Sequence, residues 1–303
     1  MPSSKNAVSQ GATQIATQAV RQYYERNTNL FLTHGRQSRT RTIHRAVWAP
    51  GVVNLEAALN TTHAMICQEV EALLQPGEPD NPTRLKVADL GCGVGGSLFY
   101  LAERTRTPLW GLGLTISSLQ ARLARHHSRQ LRLQDRCDFI EADFNHVPLR
   151  PGLDAIFSIE AFAHTPDAYA YLSEAARLLR AGGRLMLCDD FRLIHHTDKP
   201  ADSDLFWLTA FQRGWHIPQL YTHEQVVDLA RPLGLHLVSQ NDLTPYLRLS
   251  RLPVLLVYLV VASWLSLRSY HPYWGSLLGG LALQQCLKQG LIAYRFLVLE
   301  KSC

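Results

Sequence analysis

Across the middle of the chain, short unbroken apolar runs alternate with longer segments whose apolar residues recur every three to four positions. The short runs predict strands over 85–90, 108–113, 137–141, 153–159 and 184–189, and the longer segments predict helices over 96–105, 117–130 and 167–180. Arg180-Ala-Gly-Gly-Arg184 reads as a helix stop ahead of the fifth strand. Strands alternating with helices in this way predict an α/β fold, a parallel sheet joined by right-handed crossovers. Two later apolar runs, 235–241 and 292–299, would complete a seven-stranded sheet.

The flanks differ from this middle. Residues 1–20 are polar and rich in Ser, Thr and Gln, which predicts an arm. Helical spacing returns around Tyr23, Tyr24, Leu30 and Phe31, and again from Leu55 to Leu74, before the loop Pro76-Gly-Glu-Pro-Asp-Asn-Pro82. The expected organisation is therefore an arm over 1–20, a helical cap over 21–80, a core over 83–243, an apolar insertion over 244–290 and a last core strand over 291–303. Within the insertion, Leu252 to Leu267 carries no charge and is bracketed by Arg251 and Arg268. A membrane-spanning helix needs ~20 apolar residues. This run is shorter and opens beside Pro253, so a buried or lid helix is expected, with peripheral membrane contact through 252–267 as the alternative.

Composition narrows the function classes. A chain of 303 residues is long enough for a large core with a cap. The net charge of +5 comes without a dense basic run, which argues against a nucleic-acid partner and leaves an anionic small molecule or a membrane surface. The thirteen His show no H-E-x-x-H spacing, and the six Cys show no C-x-x-C pair. Scattered cysteines and a polar start without an apolar leader fit reduced thiols in a cytoplasmic enzyme.

The chemistry concentrates where the first strand ends, in Val87-Ala-Asp-Leu-Gly-Cys-Gly-Val-Gly-Gly96. Glycine lets the backbone turn tightly and admits a bulky ligand where a Cβ would obstruct it. The spacing of Gly91, Gly93 and Gly95 differs from the dinucleotide fingerprint and resembles the D-x-G-x-G-x-G motif of class I S-adenosylmethionine (SAM) methyltransferases. The resemblance implies a Rossmann-like seven-stranded class I methyltransferase core with an N-terminal helical cap and a hydrophobic helical insertion before the last strand. It also implies SAM as cofactor, with the methionine carboxylate at the N-terminus of the helix from Gly96 and Asp89 beside its amine or the loop backbone. The second strand runs into Gly111-Leu-Gly-Leu-Thr-Ile-Ser-Ser-Leu-Gln120 without the acid that many SAM enzymes place on the ribose. This stretch resembles the sterol, tocopherol and cyclopropane-type methyltransferases, and the likeness assigns Thr115, Ser117 and Gln120 to the ribose and methionine portions. In Glu141-Ala-Asp-Phe144, the matching motif assigns Asp143 to the adenine amine and Phe144 to its ring.

Acceptor chemistry is expected after the fourth strand, in Phe157-Ser-Ile-Glu-Ala-Phe-Ala-His-Thr-Pro-Asp167. Desolvation among Ile159, Phe162 and Ala163 would raise the pKa of Glu160. A carboxylate in an aromatic-lined apolar pocket suits stabilising a carbocation and then removing its proton. The segment resembles sterol C-methyltransferases and, at Glu160, the catalytic base of geranyl diphosphate C-methyltransferases. His164 matches a family histidine that assists or orients.

Further upstream, Tyr23-Tyr-Glu-Arg-Asn-Thr28, His34-Gly35 and Arg41-Thr-Ile-His-Arg-Ala-Val-Trp48 resemble the opening of the same branch, which implies Tyr24 near the sulfonium. Arg36, Arg39, Arg41 and Arg45 with His44 add local positive charge, and guanidinium forks suit diphosphate oxygens. Phe162, Trp207, Phe211 and Trp215, with Phe206 and Tyr221, are candidates for an aromatic acceptor wall. The leading expectation is a C-methyltransferase of a small prenyl diphosphate, with Mg²⁺ as the diphosphate's companion and a homo-oligomer among the expected partners. The alternatives are a methyltransferase for a larger lipid (a sterol, a tocopherol-like or quinone acceptor, or an indole-terpenoid) and a SAM-binding protein without catalysis.

Overall fold

The strands are β1 (Leu85–Leu90), β2 (Leu109–Thr115), β3 (Cys137–Glu141), β4 (Leu153–Ile159), β5 (Leu179–Arg192), β6 (Leu235–Asp242) and β7 (Ile292–Lys301). They form one sheet in the order β3-β2-β1-β4-β5-β7-β6. β1 to β5 pair in parallel, while β7 pairs antiparallel with both β5 and β6. This computed structural model describes residues 18–28, 40–74, 84–193, 201–267 and 272–302. The expected loop over 76–82, Leu30, Phe31 and the first seventeen residues fall outside that set.

Helices cover both faces: α1 over 18–28, α2 (Leu55–Glu71), α3 (Gly96–Arg104), α4 (Ser118–Gln130), α5 (Ala168–Leu178), α6 (Asp202–Trp215), α7 (His223–Ala230), α8 (Val254–Leu267) and α9 (Pro272–Lys288). Successive strand residues face opposite sides, and two cores result. Val87, Phe139 and Phe157 pack with Ile66 of α2 and Leu98 of α3 on one face. Ala88, Leu112 and Ile156 pack with Tyr171 of α5 and Val226 of α7 on the other. A third cluster joins Trp207 and Phe211 of α6 to Val261 of α8 and Ala282 of α9.

Two expectations change in detail. The helix before β5 stops at Leu178, and Leu179 is already extended, because Leu179 pairs with Leu153 of β4. Arg180 to Arg184 is thus an irregular start of the strand, with Gly182 at φ +70°, and not the helix end. The insertion over 244–290 forms two helices, of which α9 lies against α6 through glycine contacts. A Cβ on Gly214 would sit 2.5 Å from the Cα of Gly279, so only a bare backbone allows that approach.

Strand order reverses between β1 and β4, which opens a crevice beyond the carboxyl ends of the strands. Gly95 shapes its floor. It holds φ +94° at the N-cap of α3, and a Cβ there would lie 2.8 Å from both Phe99 and Phe139. Gly95→Ala adds backbone strain and overpacking of about 3 kcal/mol together. The thermal midpoint should fall by roughly 5–10 °C in a melting scan; an unchanged midpoint would refute this account of the loop.

Candidate active site

The crevice holds a cavity of about 440 Å³ walled by the carboxyl ends of β1, β2 and β4, by α1, by the segment 41–44 and by α9. Its cofactor half assembles three of the sequence motifs. Gly91 and Gly93 line it with φ of +105° and +53°, which turns their backbone toward the space. Gly91 packs so closely on Ala161 that a side chain there would collide with the Ala161 Cβ. Asp89 lines the same wall, and its Oδ2 is buried without a hydrogen-bond partner. Burial pushes the Asp89 pKa well above the usual carboxylate range. An orphaned acceptor of this kind matches an ammonium donor from a ligand, so the residues present fit the amino-acid end of SAM. Asp143 and Phe144 stand at the far side, where Asn145 donates to Asp143 from its backbone and its side chain.

Thr115 and Gln120 also line the cavity, and they bond to each other: Thr115 Oγ1 donates to Gln120 Oε1 at 2.7 Å. Gln120 Nε2 then donates to Thr28 of α1. Glu25 on the same helix accepts from the Ser118 amide at 2.9 Å and from the Ser118 hydroxyl at 3.0 Å. A carboxylate therefore sits at the positive N-terminal end of α4, as the helix dipole favours. These bonds strap α1 over the cofactor half.

In the other half, Glu160 follows β4 with φ +51°, a left-handed conformation that a non-glycine residue adopts only when its surroundings hold it there. Arg45 provides that hold. Its backbone amide and its Nε both donate to Glu160 Oε1 at 2.9 Å, while Nη1 and Nη2 donate to the two oxygens of Asp190, each at 2.9 Å. The guanidinium also stacks 4.0 Å from the Tyr294 ring. Burial alone would raise the pKa of Glu160, but the charge of Arg45 and its hydrogen bonds bring it below the ordinary carboxylate value. The raised pKa expected from the apolar neighbours is thus corrected: the neighbour that decides is a cation 115 residues earlier in the chain, Arg45, not the flanking apolar residues.

His164 lies in the short turn Phe162–His164, with Nε2 2.9 Å from the Tyr24 hydroxyl. Burial lowers its pKa to about 4, so the imidazole is neutral at physiological pH. His44 Nε2 meets His63 Nε2 at 2.8 Å and its Nδ1 meets the Arg45 carbonyl at 3.0 Å. The carbonyl must accept, so Nδ1 of His44 carries a proton. Burial lowers both pKa values.

The structure therefore brings Tyr24, Asp89, Gly91, Gly93, Thr115, Gln120, Asp143, Phe144, Glu160, His164, Arg41, His44 and Trp215 to one cavity. Others do not join them. Gly95 shapes the turn beneath, and Ser117 is a fully buried N-cap of α4 whose hydroxyl is turned toward Glu25. Phe162 packs on Tyr171 and Phe191 in the sheet core, and Trp207 and Phe211 fill the α6–α8–α9 cluster; apolar burial outcompetes display of these rings. Arg45 turns from the cavity because two carboxylates claim its fork. Arg36 and Arg39 lie outside the described residues. The residues missed from sequence are Glu25, Asp190, Ser276 and Leu277. Consecutive acids in Cys188-Asp-Asp190, buried at the carboxyl end of a strand, were the available signal for Asp190. Among the described residues, no cluster of His, Cys, Asp and Glu is arranged to hold a metal ion.

Residues 88–187 match the family described as methyltransferase domain. That segment, a third of the chain, is similar to a methyltransferase domain. A 24-methylenesterol C-methyltransferase 2 of Oryza sativa subsp. japonica is 27% identical over 160 residues, which is 52% of this chain and 43% of that protein. The methyltransferase GfsG of Streptomyces halstedii is 40% identical over 105 residues, covering 34% of this chain and 37% of its own. The chain thus spans less than half the length of these curated relatives. A solved geranyl diphosphate methyltransferase, in complex with GPP and sinefungin, superposes with a TM-score of 0.70 at 18% identity, covering 94% of this chain and 99% of that one. At that identity the likeness is one of fold. Cofactor motifs and matched segment coincide: the match begins in β1 and ends in β5, and so contains β1, β2 and β4, whose ends build the cavity.

The Arg45 clamp is testable by removal. Arg45→Met leaves the Glu160 and Asp190 carboxylates buried without a counter-charge, which costs about 3–5 kcal/mol. In the variant, both folded-state pKa values rise above their unfolded values. Stability is then lost above the unfolded pKa and regained as pH falls and the carboxylates protonate. Denaturant titrations should show a larger deficit against wild type at pH 8 than at pH 5; an equal deficit would mean the carboxylates find other partners.

Proposed function

We propose that this chain is a SAM-dependent C-methyltransferase that methylates an alkene carbon of an isoprenoid. The observation that carries the reading is Glu160: a buried carboxylate kept ionised by Arg45, in the wall of the cavity that also holds the cofactor motifs. SAM supplies an electrophilic methyl group. Methylating an alkene leaves a carbocation on the acceptor, and a proton must leave the neighbouring carbon to restore a double bond. Such a C–H is so acidic that a carboxylate of low basicity suffices, and what matters is that the carboxylate stays charged. Arg45 uses Glu160 Oε1 for both of its bonds, leaving Oε2 for the acceptor. The rings of Tyr24 and Trp215 line the same cavity and suit a developing cation. His164, neutral and bonded to Tyr24, orients that phenol. A binding protein without catalysis has no use for a charged acid buried at this cost.

For the acceptor, the arrangement of cations favours a larger neutral isoprenoid lipid, of sterol or tocopherol-quinone type, over a small prenyl diphosphate. Arg45 is neutralised by two carboxylates, His44 is held neutral, and Arg41 alone among the described lining residues carries a permanent positive charge. The remaining wall includes Val20, Tyr23, Ile43, Ile159 and Leu277. The second reading, a prenyl diphosphate with Mg²⁺ bound through its oxygens, rests on Arg41 and on the GPP complex of the fold neighbour.

Incubation with methyl-labelled SAM and a panel of sterols, polyprenyl phenols and geranyl and farnesyl diphosphates should label a neutral lipid. Label only in a diphosphate, abolished by EDTA, would replace the first acceptor with the second. Glu160→Gln should bind SAM as wild type does while turnover falls by roughly 10²–10⁴-fold, the usual contribution of a general base. Near-normal turnover in that variant would remove Glu160 from the mechanism.

A further inference from the structure

We infer that α8 presents a docking surface for an anionic lipid bilayer. A helix that is apolar on all sides is ordinarily enclosed by protein. α8 carries no charged residue and only Ser263 and Ser266 as polar ones among its exposed aliphatic side chains, yet it fully buries only the stripe formed by Val257, Val261 and Trp264, against α6 and α9. Val254, Leu255, Leu256, Tyr258, Leu259 and Val260 are each 44–66% exposed. Isolated exposed apolar residues are ordinary, but a contiguous set on one helix marks an interaction site.

Length and charge identify the partner. No helix among the described residues is long and apolar enough to cross a membrane. At 1.5 Å per residue, the 14 residues of α8 extend about 21 Å, short of the ~30 Å hydrocarbon core. The helix therefore lies along a bilayer surface, with its exposed side chains in the headgroup–acyl boundary. The sequence from Leu243 to Leu299 contains no Asp or Glu, while Arg248, Arg251 and Lys288 are exposed. An apolar face with cationic flanks and no acidic residue in its own segment complements anionic headgroups, each nearby basic residue contributing about 1 kcal/mol; the acids in the neighbouring helix are Asp202 and Asp204 at the start of α6. Tyr258, packed on Phe206 and still 44% exposed, places an amphipathic ring at the same level.

The helix on which α8 packs reaches the cavity. Leu277 of α9, the helix on which α8 packs, is 45% exposed and is also part of the cavity wall. Docking through α8 brings that wall to the lipid phase, where a water-insoluble acceptor resides. The docking itself stands on exposure and charge, and holds whichever acceptor the cavity takes.

Flotation of the whole protein with vesicles of phosphatidylcholine and phosphatidylglycerol tests it without reference to turnover. Wild type should float with the mixed vesicles and bind at least tenfold less to phosphatidylcholine alone. The double variant Leu255→Glu/Leu259→Glu should lose at least tenfold of the binding while keeping its thermal midpoint and its affinity for SAM. Arg251→Glu should lose roughly fivefold or more. Failure of wild type to float with mixed vesicles overturns the proposal, as does unaltered flotation of the double variant. Sedimentation velocity adds a separate outcome: a concentration-dependent dimer abolished by the double variant, with no vesicle binding, would assign the face to a second copy of this chain.

Discussion

A single guanidinium holds the site together. Arg45 bonds to Glu160 after β4, to Asp190 near the end of β5 and to the ring of Tyr294 in β7, while its own backbone amide fixes Glu160 as well. The segment 40–54 that carries it is otherwise irregular, and its carbonyls at Thr40 and Arg41 press on Gly96 at the start of α3. Two carboxylates and a cation, largely removed from water, are tolerable only because each charge is matched and hydrogen-bonded. The arrangement sets three things at once. It docks the cap segment onto the sheet, holds Glu160 in a left-handed conformation it would not choose alone, and keeps that acid ionised.

Around this charged centre burial shifts the titratable groups toward their neutral forms. Burial holds His44, His63 and His164 unprotonated and raises Asp89, while Asp189, next to Asp190, is pushed up to about 7. A low-dielectric enclosure amplifies whatever charge remains. The Glu160 carboxylate in the cavity wall is opposite in sign to the charge the proposed reaction creates on its acceptor. The cofactor half is assembled from backbone and short polar side chains, strapped by Glu25 and Thr28 of α1. Positioning and exclusion of water fall to the cap, and proton removal to the core.

Most of the fold was legible along the chain because buried parallel strands leave short apolar runs and the helices between them keep their own period. All seven strands lie within a few residues of where those runs predict, and the glycine turn, Thr115, Gln120, Asp143 and Glu160 meet at the cavity as their motifs imply. The errors have a common cause. Trp207, Phe211 and Phe162 look like a display of rings in sequence, yet they are core, because a helix's apolar stripe says that it is buried and not against what. The α8 run was ambiguous for the same reason, and only packing shows that one stripe is covered and the rest open.

The sequence by itself determined the α/β alternation, the place of the cofactor loop and the presence of an acid beyond β4, since local spacing and backbone sterics act between near neighbours in the chain. The charge state of that acid depended on contacts across the fold. Arg45 stands 115 residues from Glu160 and 145 from Asp190, and in sequence it belonged to a cluster of arginines that suggested a diphosphate. Tertiary structure spent that charge on two buried carboxylates, because electrostatics depends on distance in space and on exclusion of water, and neither is written in the order of residues.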